Sequence, residues 1–166
     1  MSDAPTKPDA ASADEIDQRL AELGIELPPP APPAANYVPT VVAGNLIFVA
    51  GQVPVAAGKL AYRGKVGRDY DLEQAQQAAR LVGINILAQV RAAAGGLARV
   101  RCVKLGGFVN CVDDFDQQPA VINGCSDLLV EVLGERGKHA RFAVGANVLP
   151  FDVPVEIDAI FEIVDD

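Results

Sequence analysis

Basic residues are in short supply in this sequence: 14 Lys and Arg stand against 22 Asp and Glu, for a net charge of −8. Recognition of nucleic acid through its phosphates needs a dense cationic surface, so a nucleic-acid partner is not expected. Cysteine is scarce as well. Cys102, Cys111 and Cys125 are odd in number and show neither CxxC nor CxH spacing, which argues against a disulfide framework and a zinc site and suits a reducing cytoplasm. The one histidine, His139, excludes a multi-histidine metal centre and leaves a single candidate base of that type. No apolar run approaches the roughly 20 residues of a membrane-spanning helix. The N-terminal MSDAPTKPDAASADE lacks the basic start and apolar block of an export signal. GxxxxGK[ST], GxGxxG, HExxH and GxSxG are all missing, so nucleotide-binding, zinc-protease and serine-hydrolase readings lose their usual support.

Half of the 166 residues are apolar, enough for one domain with a substantial core. Residues 1–12, rich in Ala, Pro, Ser and Asp, read as a flexible tail. Asp14 is placed to cap a short helix carrying Ile16, Leu20 and Leu23, with Gly24 as its stop, and LPPPAPPAA (27–35) as a stiff, extended connector. The division expected is therefore residues 1–35 as tail, short helix and connector, and residues 36–166 as the main domain. Two strands are expected at 37–42 and 45–50, a long helix over 71–94 ending at Gly95-Gly96, and a strand over 99–112 bent at Gly106-Gly107. A helix over 117–133 with Pro119 in its first turn and strands near 140–148 and 153–164 complete the chain. The order ββ, α, β, α, ββ predicts an α+β fold, a two-layer sandwich in which two main helices cover one face of a mixed β-sheet.

The run KHARFAVGANVLPFDVPVEID (138–158) carries the chemistry. As a strand, 140–148 puts Phe142, Val144, Ala146 and Val148 on one face, expected to be core, and Arg141, Ala143, Gly145 and Asn147 on the other. One long cation among side chains that small suggests a hollow, and a guanidinium fork matches a carboxylate bidentately at any physiological pH. The plain alternative is an arginine paired with one of many acidic neighbours. In VEIDAIFEI, Glu156 stands on the polar face and is a candidate for orienting water or moving a proton if its surroundings raise its pKa; a solvated sheet face is the competing reading. His139, beside Lys138 and Arg136, reads first as a loop or interface residue. The cysteines read as packing, and Lys59, Arg63, Lys65 and Arg68 as a solvated turn.

NYVPTVVAGNLIFVAGQVP (36–54), the long helix, GFVNCVDDF (107–115) and KHARFAVGANVLPFDVPVEIDAIFEI (138–163) together resemble the Rid family. These are the YjgF-type reactive intermediate deaminases, in older usage L-PSP endoribonucleases, and the resemblance spans about residues 36–164. It implies a chorismate mutase-like fold assembled as a homotrimer with clefts between subunits, and no metal or organic cofactor. It also implies hydrolysis of small enamine or imine intermediates such as 2-aminoacrylate to the 2-oxo acid and ammonia. On the matching motifs, Arg141 is expected to hold the substrate carboxylate, Glu156 and Tyr37 to serve the reaction, and Ala50, Gly51 and Ala143 to line the site.

Ala50 stands where the family usually has a serine in "SGQ", and Ala143 where it has a cysteine. The region Gln118-Pro119 stands where an asparagine is expected, and NGCSDLLVEVLGERGKHA is an insertion relative to the deaminase type, which places the chain in a side branch. The pocket is accordingly expected to be wider and less polar, with Asn123, Ser126 and His139 as the polar residues at hand. A trimer that binds carboxylate metabolites in the same clefts without turnover is the alternative function. Ribonuclease activity is disfavoured by the acidic balance and the single histidine.

Overall fold

The computed structural model of the protein describes residues 12–32 and 36–165. The expected tail up to residue 11 and residues 33–35 of the proline-rich connector lie outside the described residues. Helix α1 (Ala13–Glu22) begins on Ser12 and not on Asp14. The Ser12 hydroxyl accepts from the Glu15 N–H at 3.2 Å, and the Glu15 carboxylate accepts from the Ser12 N–H at 2.9 Å. This reciprocal S-x-x-E box satisfies two orphan donors where Asp14 would satisfy one. Ile16 and Leu20 are buried in the core, and Arg19 Nη1 donates to the Val132 carbonyl at 3.2 Å, which ties α1 to the later helix.

Helix α2 (Leu72–Ala94) starts on a second reciprocal box, Asp71 with Gln74, and stops at Gly95, whose φ of 71° is the left-handed conformation that ends many helices. Helix α3 (Gln118–Leu133) has Pro119 in its first turn and Gly134 at its end. The two helices pack side by side over one face of a five-stranded sheet and bury Val82, Ile86, Val90, Ile122, Leu128 and Leu129. The strands are β1 (Thr40–Ala43), β2 (Leu46–Gln52), β5 (Val100–Asn110), β6 (Ala140–Ala146) and β7 (Val155–Ile163). Their order is β1-β2-β7-β5-β6, antiparallel except for the parallel pair β5 and β6. A mixed α+β sandwich of two layers is therefore what the chain forms.

A small hairpin, β3 (Val55–Ala56) and β4 (Lys59–Leu60), was not expected from the sequence, because two-residue strands are too short to show alternation. Part of the basic stretch after it is not a solvated turn. Half-buried Lys65 donates from Nζ to Asn110 Oδ1 and to the Asn147 carbonyl, both at 2.6 Å, joining the ends of β5 and β6. Asn110, fully buried, passes the tie onward by donating to Asp152 Oδ1 and the Val153 carbonyl, each at 3.1 Å.

Register sorts every strand residue to one of two faces. The rows Val49, Ala159, Leu105, Arg141 and Ile157, Gly107, Ala143 lie toward the helices. The rows Phe48, Ile160, Lys104 and Glu156, Phe108, Val144 lie on the uncovered face. This reverses the expected orientation of β6. Phe142 and Val144 are exposed on the open face, and Ala143 packs against the core. Its neighbour β5 dictates the outcome: parallel pairing sets Leu105, Gly107 and Val109 opposite Arg141, Ala143 and Gly145, and those β5 residues face the helices.

Candidate functional site

The hollow expected beside Arg141 is occupied by α3. A methyl group on Gly145 would meet Cys111 Sγ at 3.2 Å and Gln118 Nε2 at 3.3 Å, and one on Gly107 would press into Ile122. Small side chains here let a helix pass close to the strand edge. The Arg141 guanidinium lies across that helix. Nη1 donates to Ser126 Oγ at 2.9 Å and Nη2 donates to the Pro119 carbonyl at 3.1 Å. Among the described residues no carboxylate pairs with it, so the acidic-neighbour reading of Arg141 is not what forms. A guanidinium has five N–H donors and two are engaged, which leaves donors on a half-buried cation for an external acceptor. Asn123 is exposed and falls between Pro119 and Ser126 on the same strip of α3, at helical spacing.

Ser126 links Arg141 to His139. Ser126 Oγ and His139 Nε2 are 2.9 Å apart, and His139 Nδ1 is 2.6 Å from the Gly137 carbonyl. A carbonyl only accepts, so Nδ1 carries the proton and donates to Gly137. Burial first, and the nearby Arg141 charge after it, hold the imidazole below its ordinary pKa of 6.5, against the opposing pull of the Gly137 hydrogen bond. The ring is therefore neutral near pH 7, and its Nε2 lone pair accepts from the Ser126 hydroxyl. His139 is part of a built polar chain and not a simple loop residue.

Glu156 stands on the opposite face of the sheet from Arg141. It is half-buried beside Phe108, and a methyl group on Gly51 would collide with its Oε1, so Gly51 is the position that admits the carboxylate. Burial, with a smaller contribution from the Asp158 charge, pushes its pKa above the ordinary carboxyl value. That is the poise expected of a group that exchanges protons. Gly51 also lines a cavity of about 660 Å³ whose walls include Tyr37, Gln52, Pro30 and Asn85. Tyr37 is half-exposed there, and Ala50 donates its N–H to the Pro39 carbonyl at 2.9 Å.

The candidate residues thus fall into two groups. Tyr37, Ala50, Gly51 and Glu156 belong to β2, β7 and the segment that leads into β1, with Gly51 bordering both the cavity that Tyr37 lines and the Glu156 carboxylate. Arg141 lies at the far edge of the sheet, about 14 Å from β2 at ordinary strand spacing, because β7 and β5 intervene. Ala143 joins neither group, being turned into the core beside α3. Ser126 and His139 acquire partners the sequence did not reveal, since a helix residue and a strand-entry residue 13 positions apart meet only through the packing of α3 on β6. Cys102, Cys111 and Cys125 are buried, and burial pushes the Cys125 thiol up to about 12, so they are packing groups. Among the described residues no three His, Cys, Asp or Glu side chains converge as metal ligands would, and no helix is long and apolar enough to cross a membrane.

Comparison with known proteins places this architecture. Residues 17–161 match the family described as "YjgF/chorismate_mutase-like, putative endoribonuclease". The chain is 44% identical to Protein TCP17 of Trypanosoma cruzi over 146 residues, covering 87% of this chain and 91% of that one. It is 30% identical to the RutC family protein PH0854 of Pyrococcus horikoshii over 128 residues, covering 77% and 87%. Among solved structures it is similar to Atu1372 of Agrobacterium tumefaciens, a protein of unknown function, at 54% identity and a TM-score of 0.85 over 91% of this chain and 94% of that one.

Proposed function

From the premise that this chain belongs to the YjgF/chorismate mutase-like family, also called the Rid family, we propose that it hydrolyses small enamine or imine intermediates such as 2-aminoacrylate, releasing a 2-oxo acid and ammonia. The observation that carries this reading is the half-buried Arg141 guanidinium, which has no acidic partner among the described residues and retains unused donors. A cation in that condition suits a carboxylate bound from outside, and a bidentate charge-assisted pair fixes the substrate's orientation. The imine carbon is electrophilic already, so an oriented water and a proton-transfer group complete the reaction.

The working unit in this proposal is a homotrimer. The Arg141 edge of one copy and the Tyr37, Gly51 and Glu156 cluster of a neighbour supply the two halves of a cleft that a single chain holds apart. The uncovered sheet face supports association: Val41, Phe48, Phe108, Phe142 and Val144 are exposed there, an apolar surface unusual for an isolated subunit. Phe108 and Phe142 pack edge to face with centroids 5.3 Å apart, forming a firm platform on it.

The test is the decay of imine generated in situ from a pyridoxal-phosphate enzyme, with and without the protein. Acceleration that disappears in Arg141→Ala supports the assignment, and activity unchanged in that variant sinks it. A second reading, carboxylate capture without turnover, is favoured by Ala50, which brings no hydroxyl to the position where the family pattern has a serine. It predicts that 2-oxo acids raise Tm while imine decay stays at the uncatalysed rate. Ribonuclease chemistry finds less support in a chain with net charge −8.

A further inference from the structure

We propose that Ser126 and His139 form a proton relay wired to the Arg141 anchor, in which an arriving carboxylate draws the guanidinium off Ser126 and leaves the Ser126 hydroxyl, backed by His139 Nε2, facing the bound ligand. The inference deepens the deaminase reading and rests on it for the reaction served, but the ligand-linked behaviour of His139 is independent of turnover.

Three hydrogen bonds fix the arrangement. Gly137 holds Nδ1–H, Ser126 donates to Nε2, and Arg141 Nη1 donates to Ser126 Oγ. A carbonyl orients the ring here as a carboxylate does in nucleophile–base–orienter triads, and it selects the tautomer that presents a lone pair to the serine. In the folded chain one lone pair of the serine oxygen is taken by Arg141 Nη1. A carboxylate competing for Nη1 and Nη2 frees that oxygen, and the same event brings a negative charge toward the ring. The other nearby charges are bonded elsewhere or exposed: buried Arg136 donates to the Ala98 and Val100 carbonyls. Lys104, beside Ala140 on β5, lies over the Phe142 ring on the open face, Lys138 pairs with Glu135 at 2.7 Å, and Asp127 of α3 is exposed. Arg141 is the charge that acts on His139.

The step balances without a redox partner. Water oxygen bonds to the imine carbon as the C=N π pair moves to nitrogen. The water's proton passes to Ser126 Oγ while the serine proton passes to His139 Nε2. That proton then returns through Ser126 to the nitrogen, giving the carbinolamine. Its hydroxyl proton passes by the same Ser126 and His139 route to the amino nitrogen as the C–N bond breaks with its electron pair on nitrogen and the C=O bond forms, giving ammonia and the 2-oxo acid. Ser126 is the residue that faces the reacting atoms, and His139 acts through it as a positioning residue.

The experiment is an NMR titration of the one His ring in the full chain, alone, with saturating pyruvate, and with methyl pyruvate as the uncharged control. Pyruvate is expected to raise the His139 midpoint by roughly half a unit or more once the Arg141 charge is neutralised, and methyl pyruvate is expected to leave it in place. The response should vanish in Arg141→Ala. A midpoint indifferent to bound pyruvate overturns the relay. Imine decay measured beside it separates the two claims. In wild type the kcat profile should fall on the acid side through the His139 midpoint. His139→Gln and Ser126→Ala should lose that limb and at least ten-fold in kcat while the Kd for pyruvate changes less than two-fold. An intact acid limb in both variants overturns the relay, and a pyruvate-linked midpoint in a wild type that does not accelerate imine decay overturns the deaminase reading alone.

Discussion

At the β6 edge the sheet is covered, whereas the face that carries Glu156 is bare. Arg141, on the covered side, has a serine and a backbone carbonyl from α3 already on its donors, and it faces a ring whose tautomer is set. Glu156, on the bare side, lies beside Phe108 and Gly51 and depends for further desolvation on whatever packs against that face. One group is positioned by its own chain, and the other would be completed by the association proposed above. Two motif residues 15 positions apart, on strands that share a sheet, thus lie on opposite faces, and only the proposed trimer would bring them to one cleft.

The largest expected effect removes the covered side's cation. Arg141→Ala should lower kcat/KM for imine hydrolysis by roughly a hundred-fold, the cost of about two charge-assisted hydrogen bonds at 1.5 kcal/mol each. Arg141→Lys should recover part of the charge but not the fork. Equal kinetics for the three proteins would remove the carboxylate anchor from the comparison. Next comes the bare side. Phe48→Asp places a charge on the apolar face, away from the Glu156 row, and is expected to convert a trimer into a monomer in analytical ultracentrifugation while the chain stays folded. Activity should fall in proportion to the trimer lost. A monomeric variant with full activity would show that one chain holds the whole site.

A smaller effect probes the close passage of α3 itself. Gly107→Val should destabilise the fold by about 2 kcal/mol through collision with Ile122, lowering Tm by roughly 2–4 °C per kcal/mol. An unchanged Tm would mean that the helix has room to retreat, and the small residues of β5 and β6 would need another reason.

Alternation and caps made the strands and helices legible, because period and punctuation are local signals: Asp71 and Gly95 bracket α2 as their chemistry requires. The face of β6 was not legible. Phe142 and Val144 read as core, since apolar residues are inside by default, and only the parallel register with β5 shows that they point to the open side. The same limit applies to the site. Arg141 stood out by its small neighbours, but their purpose is close helix passage, and the Ser126–His139 link depends on tertiary packing that no spacing rule encodes.

Glu156 offers the finest test of the contrast between the two sides. Burial raises its pKa above the ordinary 4.5, so the folded chain holds this proton to higher pH than the unfolded chain does. The stability contributed is full below the unfolded value and is lost as pH rises through the folded one. Glu156→Gln stays neutral throughout, so its Tm should gain on wild type across that window and keep the gain toward neutrality. Melts from about pH 4 to 8 decide this, and parallel curves would show a carboxylate that solvent reaches freely. If association deepens the burial, the gain should shrink in the Phe48→Asp background, where the bare face stays bare. Additive effects in the double variant would instead mean that the subunit's own Phe108 and Asp158 are enough to set the proton affinity of Glu156.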